Sequence, residues 1–236
     1  ADTKAPEPDI VYPQYDYEND PKGSFMKVCE MLIDDLTKIL PVKYELPERE
    51  TTWIQEMMEY NVKGGKMNRG LMVVDAGVAI MKSQGKTVSN DDLGRLAVLG
   101  WAIEWLQAWL LVADDIMDSS VTRRGQPCWY KKLEQIWYIA INDAVTIEAF
   151  VFQIMKRHFA AHPKYVQLLD LMLETTLQTE MGQLSDTLCD ILDLQDLTPE
   201  RWELIVTYKT SFYSFYLSVA FAMTYCGVNN KDAFDA

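Results

Sequence analysis

From Leu93 to Met117 the chain is apolar almost without interruption, and the run closes on Asp114-Asp115-Ile116-Met117-Asp118. Leu93, Leu96, Leu99, Trp101, Ile103, Trp105 and Leu106 fall on every side of a helix axis, so a helix here has to be central and buried. The rest of the chain must wrap around it. Ser89-Asn90-Asp91-Asp92 supplies a cap at its start. Glu104 and Gln107 are its polar exceptions, and buried polar groups need partners. No apolar run reaches transmembrane length without a polar or charged interruption.

The end of this helix carries the chemistry. Asp114 and Asp118 are four residues apart, which puts them on one face, one turn above the other. Two carboxylates so placed can share hard divalent cations, and magnesium favours one or two carboxylates plus substrate phosphates. Arg123 and Arg124 follow, and their planar charged forks suit phosphate oxygens. The plain alternative is a solvated helix tip. Against it, the C-terminal end of a helix is already negative and normally attracts Lys or Arg.

The remaining segments read as further helices. Residues 1–23 are rich in Pro, Asp, Glu and Tyr, and a mobile or loosely packed lead-in is expected there. Phe25, Val28, Cys29, Leu32 and Ile33 predict a helix from Ser24 that stops before Pro41. Pro47-Glu48-Arg49-Glu50 opens a second helix. Gly64-Gly65-Lys66-Met67-Asn68-Arg69-Gly70 interrupts the pattern. Its glycines let backbone approach a ligand, and a helix starting there would favour an anion, although an ordinary interhelical connection fits equally.

Residues 71–83 form the next helix, and Gly125–Lys132 a loop. Asn142-Asp143 are placed to cap a helix reaching Arg157, and Pro163 opens a long helix past Gly182. On it Thr179, Gln183 and Asp186 make a polar stripe. His158 and His162 read as a helix terminus rather than a zinc site, lacking a third ligand nearby. Thr198-Pro199 starts the last helix, where Lys209 and Thr210 sit among aromatics. Lys209 is either a snorkelling surface lysine or a phosphate contact. No segment of strand period has convincing length, so the fold class is all-α.

The net charge of −13 argues against nucleic-acid binding and against docking to an anionic membrane, while leaving room for a local basic pocket. Cys29, Cys128, Cys189 and Cys226 form no CxxC pair and read as reduced intracellular thiols. The first residues lack a signal-peptide core. A cytoplasmic protein is expected, the alternative being an organelle after removal of a leader.

Taken together, Gly64–Gly70, Gln107, Asp114–Asp118 with Arg123-Arg124, Gln178–Asp186 and Tyr208–Tyr216 resemble the trans-isoprenyl diphosphate synthases, closest to the eukaryotic farnesyl type. The similarity runs from about residue 25 to the end. It implies an antiparallel helix bundle around a deep central cavity, usually homodimeric, with magnesium as cofactor. It also implies an enzyme that joins an allylic diphosphate to isopentenyl diphosphate. By this resemblance Asp114, Asp118 and Asp186 match metal ligands, and Arg123 and Lys209 match contacts to the allylic diphosphate. Gly65, Lys66, Arg69, Gln107 and Arg124 match the isopentenyl diphosphate site. Lys209 and Thr210 present oxygens toward the developing allylic cation, and Trp109 and Leu110 match the floor that sets product length.

The sequence departs from the family at its C-terminal side: a second aspartate-rich motif and a basic tail are absent. Residues 24–236 are therefore expected to be the N-terminal and central helices of one isoprenoid synthase domain without its C-terminal helices, turning over poorly alone. Two other functions remain open. A terpene synthase that ionises one prenyl diphosphate would not need Lys66, Arg69 and Arg124 together. A non-catalytic truncated partner subunit draws its support from the missing motif.

Overall fold

In the computed structural model, residues 10–234 are described. The long helices are α1 (Pro21–Tyr44), α2 (Glu48–Val62), α3 (Asn68–Ser83), α4 (Asn90–Met117), α6 (Ile139–Phe159) and α7 (Tyr165–Thr187). A hairpin of β1 (Thr122–Arg123) and β2 (Gln126–Pro127) follows α4, then the single turn α5 (Trp129–Lys132). The last helical stretch is α8 (Pro199–Ile205), a π-helical segment (Val206–Tyr216) and α9 (Leu217–Tyr225), before the short α10 (Lys231–Phe234). The fold is all-α, with this two-stranded hairpin as its sheet among the described residues.

α4 is the hub. It packs most extensively on α6 and α3 and also meets α1, α2 and α9. Its start is fixed by a capping box: the Ser89 amide donates to Asp92 Oδ2 at 3.0 Å and the Asp92 amide to Ser89 Oγ at 3.1 Å. α4 has the length and mean apolarity of a membrane-crossing helix, although Arg95, Glu104 and Gln107 interrupt its apolar run. Its most apolar window is 78% buried inside the bundle, which is how a core helix passes that test. Trp101 ties it to α1, donating Nε1–H to the Phe25 carbonyl at 2.7 Å while the rings stack at 4.5 Å.

α3 and α4 touch backbone to backbone. A Cβ on Gly100 would stand 2.4 Å from the Gly70 carbonyl oxygen, so both positions need the absent side chain. This contact sets the start of α3 against the middle of α4.

Several expectations are corrected. Residues 1–9 of the lead-in lie outside the described residues. From Ile10 the lead-in is packed rather than loose: Tyr12 and Tyr15 are buried, Tyr12 fills the space left by Gly94, and Asn90 Oδ1 accepts from the Tyr15 amide at 2.8 Å. α1 begins at Pro21, because Asp20 caps it by accepting from the Gly23 amide. It also runs through Pro41, whose missing N–H costs one bond in the final turn and does not stop the helix. α6 begins at Ile139, not at a cap on Asn142-Asp143. Asp143 is buried instead and accepts from the indole N–H of Trp129 at 2.8 Å and of Trp53 at 3.0 Å.

Candidate active site

The last turn of α4 carries its carboxylates out of the core. The Asp118 amide donates to the Asp114 carbonyl at 2.8 Å, so the two residues stand one turn apart as their spacing requires. Asp118 is exposed, Asp114 half-buried and Asp115 buried. Asp115 is held by Arg123, whose Nε donates to its Oδ1 at 2.9 Å, and Arg123 Nη2 also reaches Asp114 Oδ2 at 3.2 Å. The other oxygen of Asp114 accepts from Lys209 Nζ at 3.1 Å, and the same ammonium donates to Asp186 on α7. Arg123, Asp114, Lys209 and Asp186 thus form one chain of charges across the ends of α4, α7 and the π segment.

Lys209 arrives there because the π segment lies against α7. Ser211 Oγ donates to the Val206 carbonyl five residues back, and the Leu217 amide donates to Phe212, the same spacing. Such a widened turn is frequent at functional sites. Burial favours the neutral amine of Lys209, but the hydrogen bonds and charges of Asp186 and Asp114 outweigh it and raise its pKa. Asp118 is also pushed up, first by partial burial and then by the repulsion of Asp114, with Lys209 opposing.

Among the described residues no three acid, histidine or cysteine side chains converge closely enough to enclose a metal ion. Asp186 meets Asp114 through the Lys209 ammonium. The donor set still fits a hard divalent cation: Asp114 and Asp118 offer carboxylate oxygens on one face, and their mutual repulsion is what such a cation relieves.

A second basic cluster lies beside the first. Arg124 and Gly125 are the two central residues of the β1–β2 hairpin and both have positive φ, 53° and 77°. That is the primed turn whose twist suits a two-residue hairpin. Its geometry separates the adjacent arginines. Arg123 faces the aspartates, while Arg124 faces the α2–α3 loop, its Nη1 lying 3.4 Å from the Asn61 and Lys63 carbonyls. A cavity of about 80 Å³ lies by both arginines, lined also by Tyr60, Lys63, Asp115 and Trp129.

Gly65 lies close to Arg124: a Cβ there would be 3.2 Å from Arg124 Nη2 and 3.7 Å from Glu104 Oε2. Arg69, in the first turn of α3, donates Nε–H to Ser214 Oγ at 2.8 Å and lies 4.9 Å over the Tyr213 ring. Gln107 Nε2 donates to the Tyr213 hydroxyl at 3.4 Å. Lys66 and Thr210 are both exposed.

The structure therefore brings Asp114, Asp186, Arg123 and Lys209 together. Gly65, Arg69, Gln107 and Arg124 gather on the neighbouring side. Leu110 is half-buried one turn before Asp114 on its face, whereas Trp109 is buried in the core. His158 and His162 are engaged by aromatics: Tyr12 OH lies 3.1 Å from His158 Nδ1, and His162 stacks on Tyr225.

Sequence reasoning missed Asp115 as the partner of Arg123, and Tyr213 and Ser214 as the partners of Arg69. It left the start of α3 between an anion site and an ordinary interhelical connection. The Gly70 amide there already donates to Glu104 Oε1 at 3.0 Å. The signal was present in Glu104, a carboxylate in an otherwise apolar helix.

Residues 51–236 match the family model described as polyprenyl synthetase. A farnesyl pyrophosphate synthase of Candida albicans is 45% identical over 210 residues, covering 88% of this chain and 59% of that protein. One of Saccharomyces cerevisiae is 41% identical over 210 residues, with the same shares of 88% and 59%. Among solved structures, T. brucei farnesyl diphosphate synthase complexed with risedronate is similar at a TM-score of 0.80 and 31% identity, over 87% of this chain and 61% of that one. The chain spans about three-fifths of the length of the curated relatives it matches.

Proposed function

Since the chain belongs to the polyprenyl synthetase family, we propose that it is the larger part of a magnesium-dependent prenyltransferase that condenses isopentenyl diphosphate with dimethylallyl or geranyl diphosphate to give farnesyl diphosphate. One observation carries the reading: the hairpin sends Arg123 to a pair of carboxylates and Arg124 away from them, to the α2–α3 loop. Two adjacent anion sites suit two diphosphate substrates. A terpene synthase needs one, and nothing in the second cluster would serve it.

In this reading Asp114 and Asp118, with Asp186, hold the magnesium ions. When bound, those ions supply positive charge against the allylic diphosphate. Arg123 and Lys209 contact that diphosphate and stabilise it as it leaves. Arg69, Lys66 and Arg124 orient the isopentenyl diphosphate, with Gly65 and Gln107 shaping the pocket. Thr210 and the Lys209 carbonyl face the allylic carbon as it becomes cationic. The homoallylic carbon attacks, and the departing diphosphate takes the proton then lost. No side-chain nucleophile is needed. Leu110 and Trp109 bound the growing chain, giving a fifteen-carbon product with a ten-carbon fraction.

We also propose a homodimer. Ile141 and Val145 on α6, and Leu173, Leu177, Met181 and Leu184 on α7, are exposed at helical spacing, and apolar stripes of this kind suit a partner surface. Sedimentation of the chain would read its mass directly. The four free cysteines favour the cytoplasm over an oxidising compartment, which fractionation of the source cells would test.

The decisive experiment is incubation with magnesium, isopentenyl diphosphate and dimethylallyl or geranyl diphosphate, of both this chain and the full-length protein. Identification of farnesol after dephosphorylation supports the reading. Cyclic hydrocarbon would point to a terpene synthase, and absence of any product from the full-length protein would leave only a non-catalytic role.

A further inference from the structure

Glu104 is a buried carboxylate that the proposed reaction does not use. Its relative exposure is 4%, in the middle of the apolar helix α4. A carboxylate in such a place is costly unless it is bonded and faces positive charge. Both conditions are met. Oε1 accepts from the Gly70 amide at 3.0 Å, the Arg69 amide also donates to it, and the Arg69 and Arg124 guanidinium groups act on it through space. Burial pushes the carboxyl up, and those four contributions oppose it.

The position is built by the helix crossing. Gly100 abuts Gly70, and Glu104 is one turn further along α4, so its side chain rises under the first turn of α3. On the Cβ side of Gly65 two groups of opposite charge come close, the Arg124 guanidinium at 3.2 Å and Glu104 Oε2 at 3.7 Å from where a Cβ would stand. The carboxylate thus contacts the start of α3 and faces the hairpin arginine at once.

We propose that Glu104 is the positioning residue of the isopentenyl diphosphate pocket: it fixes the Gly64–Arg69 loop and orients Arg69 and Arg124 toward the bound anion. This rests on the reading of that pocket given above. Glu104 touches no substrate. Its negative charge stands among the groups that would meet the anion. It opposes anion binding by simple electrostatics, and the arrangement it imposes outweighs that cost.

The opposition of signs makes the test sharp. Glu104→Gln keeps size and an acceptor for Gly70 but removes the charge that faces the arginines. A residue that only balanced charge would, when neutralised, let the pocket bind its anion more tightly. A positioning residue gives the reverse. Calorimetric titration of isopentenyl diphosphate into the chain is expected to show at least tenfold weaker binding to Glu104→Gln. Binding of an allylic bisphosphonate with magnesium should stay within about twofold, which general damage to the fold would not allow. Glu104→Asp, which retains the charge, should recover part of the affinity. Equal or tighter binding of isopentenyl diphosphate to Glu104→Gln overturns the proposal.

Amide exchange in the ligand-free wild-type chain reads the same idea without substrate. Arg69 and Gly70 should be protected although they lie in the first turn of a helix, and should exchange at least tenfold faster in Glu104→Gln. Fast exchange at both in the wild type overturns the proposal even where the variant does not fold. Failure of the wild type to take isopentenyl diphosphate counts instead against the reading of the pocket, and the amides then decide Glu104 on their own.

Discussion

The backbone of Gly182 lies directly against the backbone of Lys209: a Cβ on Gly182 would stand 2.1 Å from the Lys209 amide nitrogen. This approach lets the π segment sit close enough to α7 for the Lys209 ammonium to reach both Asp186 and Asp114. A methyl group there has no flexible neighbour to displace. Gly182→Ala should therefore shift the π segment, at a stability cost of about 1–3 kcal/mol, typical of overpacking. It should weaken allylic bisphosphonate binding by at least tenfold. Chemical denaturation and calorimetry measure the two effects, and unchanged affinity would disconnect Gly182 from the site.

Asp118→Asn should abolish the magnesium-dependent part of allylic bisphosphonate binding while leaving helix content intact. Asp118 is exposed and closes α4, so the substitution removes a proposed metal oxygen without opening the core. Titrations with and without magnesium measure the difference. Retention of the metal dependence would remove Asp118 from the ligand set.

Asp143→Ala should cost about 2–4 kcal/mol, because it leaves the indole N–H groups of Trp53 and Trp129 without their buried acceptor. Asp143→Asn should cost less, since the amide oxygen can still accept from one of them. Denaturant midpoints of the two variants test the order.

His158 predicts an acid limb in stability. Burial first, then the Arg157 and Arg95 charges, hold it neutral and lower its pKa from 6.5 to about 3. The unfolded chain takes up a proton below the ordinary histidine value and the folded chain does not until far lower. This contribution is intact above about pH 6.5 and is lost as the pH falls toward 3, amounting to about 2–3 kcal/mol at pH 4.5. His158→Gln should flatten that slope in denaturation curves taken from pH 7 to 4.5. An unchanged slope would assign the limb to carboxylates.

Product length should respond to both proposed floor positions in the full-length protein. Trp109→Ala should move products toward twenty carbons or more, and Leu110→Ala, one turn before Asp114, should do so with less damage. Trp109 is only 8% exposed, so its truncation should also cost about 3–5 kcal/mol. Chromatography of the dephosphorylated alcohols distinguishes these outcomes. A profile unchanged in both active variants would move the floor elsewhere.

The central helix and its acidic end were legible because their signals are local: apolar residues on all sides, a Ser-Asp capping box, and carboxylates at a four-residue interval. What escaped depends on approach between distant segments. Asp115 is one of three aspartates in the Asp114–Asp118 stretch, and only the hairpin shows that it serves Arg123 rather than the ligand face. The π segment is not visible in Tyr208–Tyr216, whose residues read only as a helix among aromatics, because its wider turn accompanies contact with the distant Gly182. Pro41 and Asp143 misled for one shared reason. Each residue type has a strong local meaning, breaker or cap, that packing on α1 and around two indoles overrode.

The packed lead-in has a consequence for synthesis. Tyr12 and its partner His158 are separated by 146 residues, and the ribosome adds about 5–20 residues per second. The lead-in thus waits for His158 on the order of ten seconds after it has been made. During that interval the groove over Gly94 and the capping end of α4 stand open, and the nascent chain acquires its closing strap only when the far end of α6 has emerged.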